Sequence, residues 1–176
     1  VPKRGEIVDT GCGAGLMSNL LALASHDRNI VSVDFDLKKM GSAHDSSLQI
    51  RNVQFAQADL LEWHFPPADA VLLIDVLHYW SPEKQAALIG KAADCLQPGG
   101  RLIFREGMKK RSVGHALVYA AEKVAVKLGH NPRGDGLQFQ TRSFYEQEFA
   151  RHGLHRDESV GDAGLGSNRL QVWVKP

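Results

Sequence analysis

The run Ile7-Val8-Asp9-Thr10-Gly11-Cys12-Gly13-Ala14-Gly15 constrains this chain more than any other stretch: an apolar strand delivers a carboxylate, then a glycine loop, then a helix. A loop of this kind holds a dinucleotide when it reads G-x-G-x-x-G, with the pyrophosphate on the helix N-terminus. Here the third glycine is Gly15, and the position that pattern requires holds Leu16. Asp9 argues in the same direction, because an anionic strand end repels a pyrophosphate and attracts a small cationic ligand. A glycine turn after a strand also serves as a plain tight connection, so the reading depends on the rest of the chain.

Beyond Gly15 the sequence alternates regularly. Leu16, Met17, Leu20, Leu21, Leu23 and Ala24 keep a helical period, and Ile30-Val31-Ser32-Val33-Asp34 reads as a buried strand. Asp36 is placed to cap a second helix with Leu37, Met40 and Leu48, and Val53, Phe55 and Ala56 lead into Asp59 as a third strand. Ala70-Val71-Leu72-Leu73-Ile74 ends at Asp75. Ser81-Pro82 then opens a helix, Pro98-Gly99-Gly100 ends it, and Arg101-Leu102-Ile103-Phe104 is a fifth strand. From Gly107 to Gly136 the pattern breaks into an insertion, with a basic stretch, Lys109-Lys110-Arg111, and a helix-like segment from Val113 to Leu128. Ser143-Phe144-Tyr145-Glu146 predicts a capping box for a last helix that stops at Gly153, followed by strands over 154–160 and 170–174. The alternation predicts an α/β fold: a doubly wound, mostly parallel seven-stranded sheet with helices on both faces.

The 176 residues, 43% of them hydrophobic, suffice for one domain around a single core. Lysine and arginine number 21 against 20 aspartates and glutamates, a net charge of +1 that gives no field for gathering nucleic acid or an anionic membrane. A small-molecule partner is favoured. No apolar run reaches the length of a membrane span. Cys12 and Cys95 have no metal-ligand spacing and form no disulfide framework, which fits a reducing, cytoplasmic setting without a metal. Cys12 reads as a small residue filling its loop rather than a reactive thiol.

Ligands of a doubly wound sheet sit at the carboxyl ends of the strands, and those ends here carry Asp9, Asp34, Asp59, Asp75 and Arg105-Glu106. The opening run, Asp34, Ala56-Gln57-Ala58-Asp59-Leu60, Asp75-Val76-Leu77-His78-Tyr79 and Pro98-Gly99-Gly100-Arg101-Leu102 succeed one another across residues 6 to 106. In that order they resemble the motifs of the class I S-adenosylmethionine (SAM)-dependent methyltransferases. The resemblance implies SAM as cofactor and S-adenosylhomocysteine (SAH) as product. It puts Asp9, Gly11, Cys12, Gly13 and Gly15 in the cofactor loop, has Asp34 accept from the ribose and Phe35 pack on the adenine, and adds Asp59, Leu60 and Asp75 to the same site. Asp34 and Asp59 also read as ordinary carboxylates that start a loop. Members of the family carry a helix or more before the first strand, closing over the cofactor, so the resemblance implies an N-terminal segment beyond this sequence.

Methyl transfer asks a protein to align the acceptor and remove its proton. His78, just past the fourth strand, is the candidate base, and equally a capping or packing histidine. Glu106, and His115 with Tyr119 on one face of the inserted helix, are further substrate-side candidates; that face also reads as solvated or core-packed. The Asn/Asp-Pro-Pro-aromatic turn that in the family goes with nucleobase or amide nitrogen acceptors is missing at the fourth strand, so the resemblance favours oxygen or carbon. Arg105-Glu106-Gly107 and Leu137-Gln138-Phe139 resemble methyltransferases found beside bacterial lipid and aryl polyene biosynthesis enzymes, implying a phenolic or carrier-linked acceptor. An NAD-dependent oxidoreductase and a SAM-binding domain without turnover remain as alternatives, and nothing in the pattern sets an oligomeric state.

Overall fold

The computed structural model describes residues 1–108, 136–161 and 168–176. The inserted helix expected over 113–128, with His115 and Tyr119, lies outside the described residues.

Seven strands form one sheet: β1 (Gly5–Thr10), β2 (Arg28–Asp34), β3 (Val53–Gln57), β4 (Ala68–Ile74), β5 (Leu96–Gly107), β6 (His155–Arg156) and β7 (Asn168–Val174). Their order is β3-β2-β1-β4-β5-β7-β6. Strands β1 to β5 run parallel, and β7 runs antiparallel to both β5 and β6. The chain winds outward from β1 through β2 to β3 and then returns to β4 on the other side of β1. That reversal opens a crevice at the carboxyl ends of β1 and β4.

Four helices are described: α1 (Leu16–Ala24), α2 (Leu37–Ser46), α3 (Pro82–Cys95) and α4 (Arg142–Arg151). Alternate strand residues feed two cores. On one face Val8, Val71, Leu73, Leu102 and Phe104 pack with Leu88 and Ile89 of α3, Tyr145 and Phe149 of α4, and Trp173. Phe104 sits 4.8 Å from the Tyr145 ring and 5.0 Å from that of Phe149, the tilted contacts that aromatic quadrupoles favour. On the other face Ile7, Ile30, Val53, Ala70, Leu72 and Ile103 meet Ala22 of α1.

Four expectations need correction. Pro98-Gly99-Gly100 does not end the third helix: α3 stops at Cys95, and the three residues lie inside β5. The apolar period of α1 does not mark its buried side: Ser18, Asn19 and Ala22 face inward, while Leu16, Leu20 and Leu23 are 72%, 54% and 61% exposed. Two polar contacts set that rotation, Ser18 Oγ donating to Asp9 at 2.5 Å and Asn19 Nδ2 donating to Ser46 Oγ at 2.9 Å. The last helix is capped by Thr141, whose hydroxyl accepts from the Phe144 N–H, and Glu146 pairs with Arg142 instead of closing a box. Strand β6 is two residues long because Asp157, after donating its N–H to the Val172 carbonyl, accepts from the Ser159 N–H and hydroxyl and turns the chain away.

Candidate active site

The glycine loop runs from the end of β1 into α1, tied to β2 by N–H bonds from Gly11 and Cys12 to the Val33 carbonyl. Its three glycines all have positive φ, but for different surroundings. A Cβ on Gly11 would stand 2.4 Å from a Val76 methyl, and one on Gly15 would stand 2.6 Å from the Phe55 ring. At Gly13 it would meet nothing within 4 Å. Gly11 and Gly13 both line a cavity of about 290 Å³, and of the two only Gly13 has room for a side chain.

One wall is Asp34 at the tip of β2, 6% exposed. Its two oxygens accept from the backbone N–H groups of Gly13 at 2.8 Å and Asp36 at 2.9 Å, and each keeps a lone pair for a ligand hydroxyl. Phe35, Leu60 and Leu61 add apolar surface, and Asp59 adds a second carboxylate. Asp59 also builds its own loop, Oδ1 accepting from the Leu61 N–H at 2.9 Å. Asp75, the third carboxylate, is the one non-glycine described residue with positive φ, at 52°, a conformation Asp tolerates. Its carboxylate pairs with the Arg105 guanidinium and its N–H donates to the Arg105 carbonyl.

Asp9, Cys12, Gly15, His78 and Glu106 do not line this cavity. Asp9 lies behind the loop, 3% exposed, its carboxylate taken by Ser18. Burial pushes its pKa up to about 6, the Ser18 hydroxyl opposing and Asp34 adding to the shift. The Cys12 thiol is pushed up by burial and by the Asp9 and Asp34 charges, and its sulfur rests 3.9 Å from that of Met40. It fills space.

His78 and Glu106, 28 residues apart in sequence, are brought together. His78 lies in the short 3₁₀ turn Leu77–Tyr79 after β4, and Glu106 lies near the end of β5, both almost fully buried. Glu106 Oε2 accepts from the Leu77 and His78 N–H groups, while Oε1 accepts from the Gly107 N–H at 2.9 Å and contacts His78 Nδ1 at 2.6 Å. With both oxygens already acceptors, the imidazole Nδ1 supplies the hydrogen of that last contact. Phe139 stacks on the other side of the ring at 4.9 Å, and Nε2 is buried with no hydrogen-bond partner among the described residues.

Residues 7–100 match the family model described as a methyltransferase domain, more than half of the chain. The chain belongs to the methyltransferase domain family. A carboxy-S-adenosyl-L-methionine synthase from Pseudomonas syringae pv. syringae is 39% identical over 107 residues, covering 60% of this methyltransferase domain and 38% of the relative. The chain thus spans about two fifths of that relative's length. The O-methyltransferase family 2 protein from Planctomyces limnophilus, in complex with apigenin, superposes with a TM-score of 0.78 at 20% identity. The match covers 98% of this chain and 50% of that one. Human N-acetylserotonin methyltransferase in complex with SAM gives 0.73 at 18% identity, over 97% of this chain and 47% of that one. These two likenesses are of fold.

The cavity of this methyltransferase domain also has walls that the sequence did not single out as site residues: Leu61, Val76, Tyr79, Trp80, Lys39 and Lys84. Tyr79-Trp80 had a signal in two aromatics directly after a strand end, outside any buried period. Lys39 and Lys84 had none, because a lysine in the first turn of a helix reads as solvated surface. Among the described residues, no three His, Cys, Asp or Glu side chains are grouped to hold a metal ion, and no helix is long and apolar enough to cross a membrane.

Proposed function

We propose that this chain binds SAM and transfers its methyl group to a hydroxyl of a small molecule, with His78 as the base. Two features support the cofactor. The cavity is lined by three carboxylates, Asp34, Asp59 and Asp75, against two lysines, Lys39 and Lys84, with apolar side chains between them; the excess of negative charge suits a cationic ligand better than a pyrophosphate, which weakens the oxidoreductase alternative. The open space over Gly13 lies beside a buried Asp34 whose oxygens can still accept from a ribose. Asp34, Phe35, Asp59 and Leu60 would hold the adenosine part. When bound, SAM supplies a methyl already activated as a sulfonium.

The observation that carries the acceptor chemistry is the buried His78–Glu106 pair. Glu106 fixes the tautomer by accepting from Nδ1, so the Nε2 lone pair is the one available to a proton. A hydroxyl brought to Nε2 loses its proton to the ring, and the imidazolium so formed is stabilised by the carboxylate 2.6 Å away. Phe139 and the Leu77–Tyr79 turn hold the ring in place. Nitrogen and carbon acceptors gain less from such a base, and a ubiquinone biosynthesis O-methyltransferase from Xylella fastidiosa, 35% identical over 107 residues, agrees with an oxygen acceptor.

The test is calorimetry with SAM and SAH, then methyl transfer to phenols, catechols and hydroxylated acyl thioesters. His78→Ala is expected to lower turnover by roughly 10² to 10⁴ with SAH affinity unchanged. Equal turnover in the variant removes His78 from catalysis, and tight SAM binding with no turnover on any acceptor favours the binding-domain alternative.

A further inference from the structure

The wall formed by Leu60 and Leu61 has a support that its own loop does not provide. Lys91, on α3, sends its ammonium across to this loop and donates to the Leu60 carbonyl at 2.9 Å and the Leu61 carbonyl at 2.7 Å. The same ammonium stands 5.3 Å from the centre of the Phe65 ring, and the Asp59 and Glu62 carboxylates attract it. Phe65 packs in turn on Trp63, ring centres 5.1 Å apart. One cation thus gathers the segment from Asp59 to Phe65, of which Asp59, Leu60 and Leu61 line the cavity.

We infer that Lys91 is a positioning residue for base recognition: it fixes the Asp59–Leu61 wall from behind and so sets how this site distinguishes adenine from other bases. The inference rests on the SAM reading and extends it to a residue that lies outside the cavity lining. Two carbonyls held by one ammonium cannot shift independently, and bonds to a charged donor are stronger than neutral ones. Asp59 Oδ1 is committed to the Leu61 N–H, so the place of Leu61 also decides where the carboxylate points. An adenine amine donates to a carboxylate, whereas the carbonyl of hypoxanthine at the same place repels it. Loosening the wall should therefore erode this discrimination as well as affinity.

The experiment measures binding of SAH and of S-inosylhomocysteine to the unaltered chain, Lys91→Met and Lys91→Arg, with melting of each unliganded protein. Lys91→Met is expected to weaken SAH about tenfold and S-inosylhomocysteine far less, collapsing the preference, with Lys91→Arg restoring most of it. Lys91→Gln, polar but too short to span both carbonyls, replaces the methionine variant if that does not fold. Unchanged SAH affinity and preference in the neutral variant overturn the inference, as does equal weakening of both ligands with a lowered melting temperature, which marks a structural lysine. Failure of the unaltered chain to bind SAH overturns the cofactor reading and this inference with it.

Discussion

The two faces of the sheet are built by different rules. The α3 and α4 face is a mainly apolar layer, with Phe104, Tyr145 and Phe149 all fully buried and Gln85 accepting from the Tyr145 hydroxyl within it. On the α1 and α2 face the strand residues are equally apolar, but α1 turns Ser18 and Asn19 inward and leaves a leucine stripe outside. The difference teaches that a helix beside a buried charge is oriented by that charge. Ser18 satisfies Asp9, and an unpaired buried carboxylate would penalise the fold more than exposed leucines do.

The comparison breaks if the two faces respond alike to substitution. Phe104→Ala is expected to cost about 3 to 5 kcal/mol in urea unfolding, the range for a large buried aromatic. A loss below about 1 kcal/mol would mean the layer around it is loosely packed. Asp9→Asn addresses the charged side. The native pKa of Asp9, about 6, is raised above its ordinary value of 3.8, so the folded state holds its proton more tightly than the unfolded chain. Stability contributed by that proton is present below pH 4 and is lost as pH rises through 6, a penalty of about 3 kcal/mol at neutrality. The asparagine variant should flatten stability between pH 4 and 6; parallel curves for both proteins would show that Asp9 is ionised without penalty. The smallest effect is Leu20→Gln, expected within about 0.5 kcal/mol because the side chain is already half in water. A large loss there would mean that the outer face of α1 is covered in solution.

The same contrast explains what was legible in the sequence. Strand ends were, because the largely apolar runs of β2 and β4 stop at Asp34 and Asp75, and polarity at a strand tip is a local signal. The rotation of α1 was not: its leucines keep a helical period, and the partners that overrule it, Asp9 and Ser46, lie on other elements. His78 and Glu106 were each readable as single residues, but their pairing depends on the β4–β5 register, in which Ile74 lies opposite Arg105. Thr141 and Ser143 are equally suited to cap a helix, and only the fold chooses between them. Lys91 was invisible because its carbonyl partners have no sequence signature.

The bond between Asp34 and the Gly13 N–H has a kinetic meaning. It closes the loop onto β2 by protein atoms alone, so the loop does not wait for a ligand to take its shape. The ordering entropy of residues 11–15 is then charged to folding rather than to binding, leaving more of the gross contact energy as affinity. Association proceeds by entry into a finished surface, and its rate should follow diffusion and access to the cavity instead of a slower conformational step.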